Sequence, residues 1–157
     1  MKDDSILELA CQRALAYRET VDERSVFPDE RAIKGLKAFD EELPECPGDP
    51  KEIIELLHKF GSPASVAQTG GRYFGFVNGG ITPAALGAKW LADVWDQNAA
   101  MYTSSPIASK LEEVCEAWIV TLLGLPETTA VGYVSGSSIA TLCGLAAGRE
   151  ALVSALK

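Results

Sequence analysis

The sequence predicts a mostly helical chain that forms the N-terminal part of a larger α/β fold. Apolar residues recur at helical spacing through most of the first 125 of its 157 residues, without a convincing strand. A turn rich in glycine and serine, residues 132–138, then opens a final helix. Such a turn normally sits at the edge of a sheet, so we expect the strands to lie downstream of this chain.

Composition favours a globular protein away from membranes. A hydrophobic content of 47% supports a real core. No apolar run approaches the roughly 20 residues that span a bilayer. Lys2, Asp3 and Asp4 open the chain without an apolar signal core, so we expect a cytoplasmic protein with no membrane partner.

Charge and cysteine usage exclude further classes. The formal net charge of −8 disfavours nucleic-acid binding, which requires clustered lysine and arginine. The four cysteines lie far apart and His58 is the single histidine, so the sequence predicts no metal site. In a cytoplasmic protein we expect these cysteines to be reduced and mostly buried.

Three helices are predicted in the first third of the chain, over residues 4–20, 27–39 and 49–61. The last of these is expected to end at Gly61, followed by an extended segment. An acidic stretch with two prolines, residues 40–49, separates the second helix from the third. The apolar stripes expected to face the core are Ile6, Leu9, Ala10, Ala14 and Tyr17, then Ile33, Leu36 and Phe39, then Ile53, Ile54, Leu57 and Phe60.

Residues 69–80, here called the aromatic–glycine loop, interleave aromatic residues with five glycines. This pattern fits neither a regular helix nor a long strand. One interpretation is a loop whose rings plug the core. The other is a pocket wall, in which glycines let backbone approach a ligand and rings pack on it.

Three further helices are predicted, over residues 82–95, 105–124 and 139–156. Thr82 and Ser105 are candidate N-terminal caps, each followed by proline, and Gly124 is a candidate C-terminal cap. A polar connection, residues 96–104, joins the first two of these helices. The core face predicted for the middle helix is Ile107, Leu111, Val114, Cys115, Trp118 and Leu122.

The turn at residues 132–138, here called the glycine–serine loop, predicts an anion site. The first N–H groups of a helix have no partner within it, and the helix dipole favours negative charge there. Gly136 admits a ligand close to the backbone, and Ser137 and Ser138 add hydroxyl groups. The same residues also fit an ordinary helix cap. A P-loop is excluded because no Gly-Lys-Ser/Thr follows the glycines.

Four motifs in order resemble the pyridoxal-phosphate-dependent group II decarboxylases, which include the glutamate and aromatic-amino-acid decarboxylases. They are Arg-Tyr-Phe-Gly-Phe-Val at 72–77, Tyr-Thr-Ser-Ser-Pro at 102–106, Leu-Gly-Leu-Pro at 123–126 and Ser-Gly-Ser-Ser-Ile-Ala-Thr at 135–141. The resemblance implies a pyridoxal 5'-phosphate cofactor, an amino-acid substrate and an aspartate-aminotransferase-like fold of type I. It also implies that residues 1–60 are a helical arm that wraps around a second subunit of a homodimer. Residues 61–157 would begin the cofactor-binding large domain.

The resemblance also implies roles for particular residues. Those matching the loop that holds the cofactor phosphate are Gly136, Ser137 and Ser138. Those matching the loop that lines the substrate pocket are Phe76, Val77, Asn78 and Gly79, and a second stretch near the same pocket contributes Asn98 and Tyr102. At position 139 this chain carries isoleucine, where many relatives carry glutamate.

No catalytic residue is assigned in this chain. In the family, the lysine that forms the Schiff base, the aspartate on the pyridine nitrogen and the histidine on the ring all follow the phosphate loop. Lys89 and Lys110 match no lysine motif of the family. We therefore expect a truncated chain that is inactive by itself. Two alternatives stay open: a non-catalytic helical dimerisation or binding module, and a fragment of an aminotransferase or another lyase of the same fold.

Overall fold

The structure, a computed structural model, describes residues 4–156 and is mostly helical, with no β-strand in that range. The α-helices are α1 (Ser5–Thr20), α2 (Glu30–Gly35), α3 (Pro50–Leu56), α4 (Ser62–Ala64), α5 (Pro83–Trp95), α6 (Pro106–Leu123) and α7 (Ser137–Ala155). The chain forms two compact units, the first ending at Leu86 and the second beginning at Gly87. The predicted arm and the predicted start of the large domain also include residues 1–3 and 157, which lie outside the described range.

Local capping signals explain where most helices begin. The Asp29 side chain accepts a hydrogen bond from the Ala32 N–H at 2.7 Å, which fixes the start of α2. Ser105, fully buried, accepts from the Ala108 N–H at 3.3 Å and starts α6. In the same way, the Thr82 side chain caps the start of α5 and the Asp49 side chain caps the start of α3. These caps confirm the predicted starts of α3, α5 and α6, whereas α2 begins at Glu30 and not at residue 27 as predicted.

The third predicted helix does not end at Gly61. After α3, a π-helical turn over Leu57–Gly61 leads directly into α4, so the helical segment continues to Ala64. Gly61 has a right-handed helical backbone, with φ at −77°, and does not act as a terminator. Pro63 lies in the first turn of α4, which follows the π turn directly, and its missing N–H is tolerated there.

The predicted core faces are only partly covered. In the first unit, Val21 and Ala67 are buried, while Ile53 and Leu57 of the predicted stripes stay exposed. In the second unit, Trp118 is 64% exposed and Leu122 is 81% exposed, although both were predicted to face the core. Helical spacing identifies an apolar face, but a face is buried only if another element covers it. Within residues 4–156 no element covers these side chains.

The cysteines are less buried than the sequence predicted. All four cysteines are free, but Cys46 and Cys143 are exposed and Cys11 and Cys115 are only half-buried. No cluster of three or more potential metal ligands occurs within the described range. None of the helices between residues 4 and 156 combines the length and the apolar character needed to cross a membrane.

Candidate functional site

The base of the aromatic–glycine loop is held by the segment that follows α1. The Gly71 N–H donates to Asp22 Oδ1 at 3.0 Å. The Arg72 guanidinium donates to the backbone oxygen of Asp22 at 2.6 Å and also to the backbone oxygen of Arg24. Residues nearly fifty positions apart in sequence therefore meet at the start of this loop.

The tip of the same loop presents apolar side chains outward. Phe76 and Val77 have left-handed backbones, with φ of 52° and 55°, and are 94% and 103% exposed. Behind them, the Asn78 side chain donates to Tyr73 Oη at 3.2 Å. The exposure of the two side chains contradicts the interpretation of a core plug. The pocket-wall interpretation stays a prediction.

The second predicted substrate stretch is a tight turn between α5 and α6. Asn98 Oδ1 accepts from the Ala100 N–H at 3.0 Å, and the Asn98 backbone oxygen accepts from Ser104 Oγ at 2.8 Å. Asp96, at the start of the turn, has a φ of 48°. The Asn98 side chain is thus used to shape the turn, whereas Tyr102 stands exposed at its far end.

The glycine–serine loop is positioned by α6. Glu116 Oε1 accepts from the Val131 N–H at 3.0 Å, and Tyr133 Oη donates to the Glu112 backbone oxygen at 3.4 Å. Partial desolvation raises the pKa of Tyr133, and the neighbouring Cys115 and the two glutamates raise it further. The phenol therefore stays neutral and keeps donating its hydrogen bond at physiological pH.

The start of α7 has the features that an anion site needs. Gly136 is the N-cap residue, and no side chain accepts a hydrogen bond from the first turn of the helix. Glycine is itself a common N-cap residue, so the cap and the anion site both remain interpretations of this turn. The hydrogen bonds within the helix begin only at Ala140, whose N–H donates to the Gly136 backbone oxygen at 3.0 Å. A Cβ built on Gly136 meets nothing within 4 Å, and Ser137 and Ser138 are exposed. The residues present therefore fit a phosphate group: open space, free amides and two hydroxyls.

The candidate residues divide between the two units. Phe76, Val77, Asn78 and Gly79 lie in the first, and Asn98, Tyr102, Gly136, Ser137 and Ser138 lie in the second. Asp22 and Glu116, which hold the two loops, were not singled out from the sequence. Each is one acidic residue among many, and no spacing rule links Asp22 to Gly71 or Glu116 to Val131.

The family described as "Pyridoxal-dependent decarboxylase conserved domain" matches residues 34–157. The chain is also similar to an aromatic-L-amino-acid decarboxylase of Bacillus atrophaeus, with 27% identity over 113 residues. That match covers 71% of this chain and 23% of the relative, so the chain spans less than a quarter of the relative's length. No solved structure matches the chain.

Proposed function

Because this chain belongs to the pyridoxal-dependent decarboxylase family, we propose that it is the N-terminal portion of an enzyme that releases the carboxylate of an amino acid as carbon dioxide. The family uses pyridoxal 5'-phosphate, which acts as an electron sink for the breaking bond. The observation that carries the proposal is the family match over residues 34–157, which includes the uncapped start of α7. In the complete enzyme these helices belong to a type I fold and the protein acts in the cytoplasm.

In this proposal the glycine–serine loop holds the cofactor phosphate. The free N–H groups after Gly136 and the hydroxyls of Ser137 and Ser138 donate to its oxygens, and the dipole of α7 favours its charge. The formal net charge of −8 does not oppose binding, because salt screens distant charges beyond about 8 Å. The anchored phosphate orients the rest of the cofactor.

The two substrate stretches supply part of the pocket. Phe76 and Val77 stand free at the tip of the aromatic–glycine loop and offer apolar surface that excludes water around the amino acid. Asn78 and Gly79 add an amide and open backbone beside them, and Tyr102 adds a phenol. The proposed homodimer, with residues 1–60 wrapped around the partner subunit, would complete the pocket.

The chain by itself is proposed to be inactive. Decarboxylation in this family needs a lysine that binds the cofactor, and no lysine between residues 1 and 157 matches that motif. The match covers only 23% of the relative, which supports the proposal that the cofactor-binding lysine lies outside this chain. The anchor and part of the pocket are in this chain, and the reacting groups are not.

Cofactor binding is tested on the chain itself. Binding of pyridoxal 5'-phosphate is followed by the fluorescence of the second unit's Trp90, Trp95 and Trp118, with pyridoxal as the ligand that lacks the phosphate. Replacing both serines with aspartate places like charges against the phosphate, so Ser137→Asp/Ser138→Asp should weaken phosphate-dependent binding by about 100-fold. Ser154→Asp, at the other end of α7, is the matched control. Unchanged affinity in the double variant would show that this loop does not hold the phosphate.

Decarboxylation is tested on the protein as its gene encodes it. The purified protein is incubated with pyridoxal 5'-phosphate and a panel of aromatic, acidic and aliphatic L-amino acids, and carbon dioxide release is measured. Release from at least one amino acid supports the proposal. Transfer of the amino group to a 2-oxo acid without carbon dioxide release would instead identify an aminotransferase.

A further inference from the structure

We propose that Asp22 and Arg72 are positioning residues for the aromatic–glycine loop, so that the segment after α1 sets the shape of the substrate pocket wall. This inference rests on the proposed function of Phe76 and Val77 at the tip of that loop. Neither Asp22 nor Arg72 would touch the substrate. Their effect would pass through the backbone at residues 71–72.

Asp22 is used twice at the base of the loop. Its carboxylate accepts from the Gly71 N–H at 3.0 Å, and its backbone oxygen accepts from the Arg72 guanidinium at 2.6 Å. Asp22 thereby holds the backbone of Gly71 and the side chain of Arg72, two consecutive residues of the loop. Two such bonds from charged groups are stronger and more directional than bonds between neutral groups.

Arg72 also connects the loop to Arg24, because its guanidinium donates to the Arg24 backbone oxygen. Arg24 is itself fixed. Its Nε donates to Thr20 Oγ1 at 3.1 Å, its Nη1 donates to the Ser62 oxygen at 2.9 Å, and its guanidinium lies 4.5 Å from the centre of the Tyr17 ring. The anchor of the loop is therefore continuous with α1 and with the start of α4.

The packing beneath the anchor leaves little freedom. A Cβ added to Gly70 would lie 3.2 Å from the Val21 oxygen and 3.4 Å from the Ala67 oxygen. Val21 and Ala67 are the buried apolar residues of the described chain. The loop thus has a closely packed base and an exposed tip. A rigid base with a projecting tip is the arrangement that holds a binding residue in a fixed position.

The first test measures the mobility of the loop in the chain itself. Chymotrypsin cleaves after aromatic residues, and Tyr73, Phe74 and Phe76 follow the anchor directly. Asp22→Ala removes one hydrogen bond at the anchor and Arg72→Ala removes two, so each variant should speed cleavage at these sites by about five-fold or more. Asp22→Asn keeps an acceptor oxygen and should restore slow cleavage.

Matched controls separate the anchor from charge alone. Glu23→Ala removes the same charge from the neighbouring position, and Arg31→Ala removes the same charge as Arg72→Ala. The structure gives neither control side chain a hydrogen bond or ion pair within residues 4–156. If Asp22→Ala does not fold, Arg72→Met tests the same anchor, because methionine keeps an unbranched side chain but lacks the N–H groups that donate to the Asp22 and Arg24 carbonyls. Cleavage at the control rate in both Asp22→Ala and Arg72→Ala would overturn the inference.

The second test uses the protein as its gene encodes it. With the amino acid that it decarboxylates fastest, Asp22→Ala and Arg72→Ala should raise KM about five-fold while kcat stays within about two-fold. The affinity for pyridoxal 5'-phosphate should not change. Faster cleavage with an unchanged KM would show that the anchor is only structural and would overturn the positioning role. If no amino acid is decarboxylated by the unaltered protein, the proposed function fails, and the cleavage rates still decide whether the anchor holds the loop.

Discussion

The guanidinium of Arg13 in α1 donates to both carboxylate oxygens of Glu55 in α3, with Nε to Oε2 at 3.0 Å. The hydrogen bond lowers the pKa of Glu55, and the charges of Arg13 and His58 lower it further. The same hydrogen bond raises the pKa of Arg13. Two parallel bonds give the pair a defined geometry. The pair therefore links α1 directly to α3.

The first prediction concerns the pH dependence of this pair. Because the pKa of Glu55 is lower in the folded protein than its usual 4.5, the pair stabilises the fold above that pH. The contribution is lost as the pH falls through the lowered pKa. We expect Glu55→Gln to lower Tm at neutral pH and to have a smaller effect near pH 3. Thermal melts across this range measure it.

Glu30→Gln provides the comparison, since Glu30 pairs with Lys34 one turn away on an exposed helix surface. Such exposed pairs contribute about 0.3–0.5 kcal/mol or less, so this control should change Tm little at any pH. An equal effect of the two substitutions at neutral pH would mean that the Arg13–Glu55 pair has no special role.

The second prediction concerns the end of α6. Gly124 has a left-handed backbone, with φ of +60°, and its N–H donates to the Thr121 oxygen at 3.2 Å. A side chain there is strained, so Gly124→Ala should destabilise the second unit by about 1 kcal/mol. Gly148→Ala, inside α7 with open space around the added Cβ, should stabilise it by about 0.5–1 kcal/mol. Chemical denaturation measures the free energy of unfolding, which should fall in Gly124→Ala and rise in Gly148→Ala.

The third prediction concerns the start of α6. Ser105 is fully buried and its hydroxyl accepts from the Ala108 N–H. Ser105→Ala leaves that N–H without its partner and should cost about 1 kcal/mol of stability. Ser154→Ala, on an exposed position of α7, removes a hydroxyl from a site without a capping role and should cost nothing. Equal stability of Ser105→Ala and the unaltered chain would contradict the cap.

Sequence reasoning succeeded where the deciding interaction is local. The caps at Asp49, Thr82 and Ser105 and the left-handed Gly124 lie within three residues of the groups that they serve, so a short pattern contains the whole cause. It failed at the predicted end of the third helix. There, Gly61 and Pro63 suggested termination, but Gly61 lies in a π turn and Pro63 lies in α4, so the helical segment runs through both residues.

The candidate site shows the same difference between local interactions and interactions of residues far apart in sequence. Residues 136–138 were predicted either to cap the last helix or to hold an anion, and the structure shows that no side chain caps α7. The contact of Asp22 with Gly71 joins positions 49 apart, and no local pattern encodes it. Burial of the apolar faces depends on elements that a pattern does not specify, which is why Trp118 and Leu122 were wrongly placed in a core.

The fourth prediction concerns backbone strain at the loop tip. Val77 is β-branched and has φ of 55°, a conformation that costs about 1–2 kcal/mol for a residue with a Cβ. Val77→Gly removes this strain but adds about 0.5–1 kcal/mol of chain entropy to the unfolded state, so the net gain should be about 0.5–1 kcal/mol. Val26→Gly, at a position without a positive φ in the same unit, should only destabilise. If Val77 lines the substrate pocket, the stabilised Val77→Gly variant should also show a higher KM in the protein as its gene encodes it. A stabilised variant with unchanged KM would separate the strain from substrate binding, and a destabilised variant would show that Val77 is not strained.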